Sequence, residues 1–132
     1  MIEKITWEDR GESAVVRAVH EALRLRYGRI ADENRGNPGT MKNRWRGEYD
    51  RWRLAFSGAK TSEQFRHSLC DLFGRAGINR VLRDQWPEVL PLLDASRWQL
   101  TRDLALLALA SYKGKGADEI ATTVDETASN AE

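Results

Sequence analysis

The chain has 132 residues and a mass of 15.1 kDa, with 41% apolar and 31% charged residues. That is material for one core, and the longest apolar run, residues 104–110, falls far short of the ~20 residues that span a bilayer. The formal net charge is +1, and a single cysteine, Cys70, excludes an internal disulfide framework and any multi-cysteine zinc site.

The opening MIEKITWEDRGES is charged at once and lacks the apolar stretch of a secretory leader. From Ser13, a plausible N-cap, SAVVRAVHEALRLRYGRIADEN places Val15, Val19, Ala22, Leu23, Arg26 and Ile30 near one face of a first helix. RGNPG at 35–39 is a loop. A second helix is predicted from Thr40 to Gly58, with Met41, Trp45, Tyr49, Trp52 and Phe56 forming a continuous aromatic stripe. The third opens on Thr61-Ser62-Glu63-Gln64, which fits a capping box. Phe65, Leu69, Leu72, Phe73 and Ala76 form its apolar face, and Gly77 stops it.

The fourth segment, residues 79–93, is broken by Pro87, so a short helix to about Gln85 and a turn or second short helix are expected. A fifth helix starts at Ser96 and runs through WQLTRDLALLALASY. Its leucines cover more than one face, so it is expected to be the central, most buried helix. Lys113-Gly114-Lys115-Gly116 ends it. No segment alternates like a half-buried strand, and no repeat is visible. The fold class is all-α: a bundle of about five helices over residues 1–113, then a disordered acidic tail over 114–132.

The small net charge hides a division. Residues 117–132 hold five acids and no Lys or Arg. Residues 17–60 hold eleven bases against five acids, and that excess equals the whole excess of residues 1–116. Arginine dominates, and its planar fork of donors suits phosphate. On the second helix Lys42, Arg46 and Arg53 make one row, and Arg44 and Arg51 another. The first helix adds Arg17, Arg24, Arg26 and Arg29. Two neighbouring basic faces point to recognition of a phosphate backbone without reading of bases. The plain alternative is a solvated helix surface.

Enzyme readings find little support. There is no HExxH and no glycine-rich phosphate loop after a strand. His67 and Cys70 could share a helix face as a nucleophile pair, yet Cys70 lies beside Leu69 and Leu72 and reads as a small core residue. His20, between Arg17 and Arg24, is either a surface residue or a phosphate contact. The aromatic stripe reads as core, and base stacking on its Trp or Tyr rings is a second use. With two histidines, no metal site is expected, and no cofactor.

The run MKNRWRGEYDRWRLAFSGAKTSEQFRHSLCDLFGRAG, then WPEVLPLL and RDLALLALASY, resembles the C-terminal helical part of CRISPR effector-complex large subunits. In some type I (Cascade) systems that part is also made alone, as the small subunit, from an internal start codon. A chain that begins at Met1 is consistent with that. The resemblance covers roughly residues 5–112 and rests on overall pattern. The composition points to a reducing compartment, the cytoplasm, and the resemblance implies a non-catalytic subunit present in more than one copy. The partners it implies are guide RNA, target DNA and other effector subunits, with no membrane. The matching positions are the basic residues of the first two helices: Arg17, Arg24, Lys42, Arg44, Arg46, Arg51 and Arg53. The alternative is a protein–protein adaptor whose exposed aromatic stripe offers Trp45 or Trp52 as docking residues.

Overall fold

The structure, a computed structural model, describes residues 2–78 and 97–120, with side chains from residue 14 onward. Among these residues there are four helices and no strand: α1 (Ile2–Glu33), α2 (Pro38–Ser57), α3 (Ser62–Ala76) and α4 (Trp98–Ser111). The predicted fourth segment, residues 79–93, lies outside the described residues.

The apolar faces read from the sequence are the faces that pack. Val15, Val19, Ala22, Leu23 and Ile30 of α1 are buried, as are Trp45, Tyr49, Trp52 and Phe56 of α2 and Phe65, Leu69, Leu72, Phe73 and Ala76 of α3. They join one core, along which rings meet in sequence: Trp52 with Phe56 at 6.4 Å, Phe56 with Phe65 at 5.6 Å, and Phe65 with Trp98 at 6.4 Å between centroids. Edge and tilted contacts of this kind are the favoured ring geometries.

Helix ends follow local chemistry. Asn34 closes α1, its backbone N–H and its side-chain amide both donating to the Ile30 carbonyl at 3.1 and 2.8 Å. α2 begins at Pro38, two residues before the predicted Thr40, because proline's fixed φ suits the first helical turn, where no N–H is needed. Thr61 caps α3 by accepting from the Gln64 N–H at 3.1 Å, while Gln64 Oε1 accepts from the Lys60 N–H at 2.8 Å. The return bond thus reaches one residue further back than a strict capping box. Gly77, at φ +78°, lets the Ile78 N–H reach the Phe73 carbonyl at 3.0 Å.

Three expectations change. Ser13 is no N-cap: α1 runs on unbroken from Ile2. A Gly11 or Ser13 inside a helix costs only about 0.5–1 kcal/mol against alanine, too little to end it. α4 packs against all three other helices, as α1 does, but it is not the most buried helix. α4 turns small residues inward (Thr101, Ala105 and Ala108, beside Leu109), leaving Leu100 37% and Leu107 55% exposed. Finally, the chain after α4 does not leave the core at residue 114. Trp45 Nε1 donates to the Gly116 carbonyl at 3.0 Å and Tyr112 Oη to the Lys115 carbonyl at 3.0 Å. The backbone turns helical again over residues 117–120, and Ile120 is 5% exposed. Gly116 holds φ +88° against the Tyr27 and Trp45 rings, where a Cβ would collide. The rest of the acidic tail lies outside the described residues.

Candidate nucleic-acid interface

The predicted basic residues separate into three groups. The first is hidden. Arg26, which the sequence places on the apolar face of α1 and also counts among its bases, is 8% exposed and gives Nε and a terminal nitrogen to the two Glu48 oxygens at 2.9 and 3.2 Å. It sits on the face that α1 turns to the core, and the carboxylate it needs comes from α2. Trp52 Nε1 also donates to Glu48, at 2.9 Å. Burial pushes the Glu48 carboxyl up. The bonds from Arg26 and Trp52 outweigh it and hold the group below the usual glutamate range. This is a structural clamp between α1 and α2.

The second group lies on the two flanks of α2. Positions seven apart share a flank. Arg44 and Arg51 lie on the side that meets the end of α1 and α3: Arg44 pairs with Glu33 at 3.0 Å, and Arg51 with Asp71 at 3.4 Å. The Arg51 guanidinium also lies 5.0 Å from the Trp52 ring centroid. Lys42, Arg46 and Arg53 lie on the opposite flank; Lys42 is exposed, Arg46 and Arg53 are half-buried, and Arg53 pairs with Asp50 at 3.4 Å.

The third group lies on α1. Arg17 and Arg24 border a groove of about 850 Å³ between α1, the exit of α3 at Gly77 and Ile78, and the end of α4 from Ser111 to Gly114. Arg24 grips Glu21 with two bonds, at 2.8 and 2.5 Å. His20, open to two readings in the sequence, stands in the wall, its Nε2 against the Ala108 carbonyl at 2.9 Å and Ser111 Oγ at 3.2 Å. Its ring meets Tyr112 at 5.6 Å. Ser111, Tyr112, Lys113 and Ile78 are site residues that sequence reasoning misses. Only an aromatic followed by KGKG at a helix end hints at them, and their meeting with α1 depends on tertiary packing.

Two alternatives lose their footing. Trp45 and Trp52 are 0% and 1% exposed, so neither can serve as a docking residue or stack on a base. His67 lines a shallow groove with Thr61, Glu63, Gln64 and Ser68, and Cys70 is not among its described lining. Burial pushes the Cys70 thiol up, against thiolate formation.

Residues 3–132 match the family described as the DevT C-terminal domain. The chain belongs to that family. It is also 52% identical over 108 residues to the CRISPR-associated protein Cas8a1/Csx13 of Myxococcus xanthus (strain DK1622). That match covers 81% of the chain and 19% of the relative, so the chain spans about a fifth of that protein's length. No solved structure matches the chain. The resemblance to the C-terminal helical part of CRISPR large subunits is thereby borne out. No helix among the described residues is long and apolar enough to cross a membrane.

Proposed function

We propose that this DevT C-terminal domain is a non-catalytic, nucleic-acid-binding element of a type I CRISPR effector, either the end of a large subunit or a separately made small subunit. It holds the guide–target duplex and the displaced DNA strand by their phosphates. Guide RNA, target DNA, other effector subunits and further copies of the domain are its partners, in the cytoplasm.

The observation that carries this reading is the state of the surface arginines. Arg24, Arg44, Arg51 and Arg53 are each paired with a carboxylate whose own side chain is 35–49% exposed. Exposed pairs are worth about 0–1 kcal/mol. A phosphate can therefore replace the carboxylate at little cost, and each replacement releases counterions. Such weak pairs do not remove the guanidinium groups from use. A gel shift with single-stranded DNA at two salt concentrations tests the reading. Affinity falls steeply with salt, and Arg46→Glu with Arg53→Glu weakens binding at low salt. Salt-independent binding, or none in the isolated domain and in the assembled complex alike, overturns it.

A further inference from the structure

From the groove on α1 we infer that the domain takes an unpaired nucleobase, so that its preferred ligand is single-stranded nucleic acid with one base inserted and the flanking phosphates on the rim. The inference rests on the proposed backbone binding and adds a site to it. The groove's volume of about 850 Å³ falls in the range of small-ligand sites and leaves room for a base with its sugar. Leu25 and the half-buried His20 ring supply the open wall, and Ile78 and Tyr112, 3% and 6% exposed, close the floor behind them. Arg17, Arg24 and Lys113 stand on the same lining. Its described acid, Glu21, is already engaged by Arg24. The rim is therefore cationic above an apolar interior, the arrangement that suits a base between two phosphates.

The walls are held in advance. His20 is tied to Ala108 and Ser111, Tyr112 Oη to the Lys115 carbonyl, and the α3 exit by the bond from Ile78 to Phe73. A preformed site loses little freedom on binding. A duplex offers no base to such a site unless a pair is opened, which costs a few kcal/mol. Trp45 and Trp52 are buried, which removes the stacking surfaces the sequence suggests.

The test compares a short oligothymidylate with the same oligomer carrying abasic sugars throughout, which keeps every phosphate. Binding to the full chain is followed by fluorescence anisotropy, and by NMR shifts of the His20 and Tyr112 rings at concentrations that capture weak binding. The intact oligomer should bind about tenfold tighter or more and move both rings, while the abasic one leaves them in place. Leu25→Asp should lower intact binding towards the abasic level. Lys113→Glu should lower both together. Equal binding of the two oligomers, with neither ring moving, overturns base insertion and leaves backbone binding intact. If neither oligomer binds the chain alone or within the assembled effector, the backbone reading falls, and base insertion falls with it.

Discussion

Arg24 and Arg26 stand two residues apart on one helix and have opposite fates. A two-residue step turns the side chain about 200° around the axis. Arg26 is carried into the α1–α2 seam, where Glu48 and Trp52 close around it; Arg24 is carried out to solvent and grips Glu21, also on α1. The first pair joins two helices across 22 residues of sequence, and the second only staples one turn. The residue type is the same, but only the outer one is available to a ligand. A count of bases along a sequence therefore overstates a binding face by the bases the core consumes.

The largest test of that contrast is Glu48→Ala. It strands the Arg26 cation in the seam and leaves Trp52 Nε1 without its acceptor, and should cost about 3–5 kcal/mol in urea denaturation followed by circular dichroism. A loss below about 1 kcal/mol would show that the seam is not a clamp. Acid probes the same pair. Because folding holds the Glu48 carboxyl below its ordinary value, its stabilisation is complete above the unfolded value of about 4.3 and is lost as the pH falls through the lower folded value. The melting temperature should drop on acidification below that point, and Glu48→Gln should flatten this part of the profile.

Smaller effects are expected away from the seam. Trp45→Phe keeps a ring in the core but drops the bond to Gly116, and should cost about 1 kcal/mol with faster amide exchange confined to residues 114–120. Unchanged exchange there would break the link between Trp45 and the turn. On the outer side, Asp71 serves both Arg51 and Arg75 at 3.4 and 3.3 Å. Asp71→Asn should cost less than about 1 kcal/mol while tightening polyanion binding at low salt. Weaker binding would mean the acid positions the guanidinium group for phosphate. Leu107→Ser, on the exposed face of α4, should change stability by no more than about 0.5 kcal/mol.

Much of the fold is legible in the sequence because helical periodicity is a local property. The faces of Trp45, Tyr49, Trp52 and Phe56, and of Phe65, Leu69, Leu72 and Phe73, follow from spacing alone. The Thr61 cap and the Gly77 stop follow from residue type. The burial of α4 is not legible in this way, because leucine-rich sequence marks apolar content, whereas burial depends on which side meets a neighbour. In α4 the alanines meet it. The acidic tail begins later than composition suggests for a related reason, since composition cannot reveal that a tryptophan 71 residues away donates to the Gly116 carbonyl.

By itself the sequence determined the helices, their inward faces, a basic first half and the kinship with the C-terminal regions of CRISPR large subunits. These depend on residues close together in the chain or on pattern over its whole length. Only the tertiary structure decided that Glu48 is the partner of Arg26 in the core, that α4 turns Ala105 and Ala108 inward and Leu107 out, and that His20 and Tyr112 meet beside Arg17 and Arg24. Each of those outcomes needs the crossing of two helices far apart in sequence, and local spacing carries no information about where such helices cross.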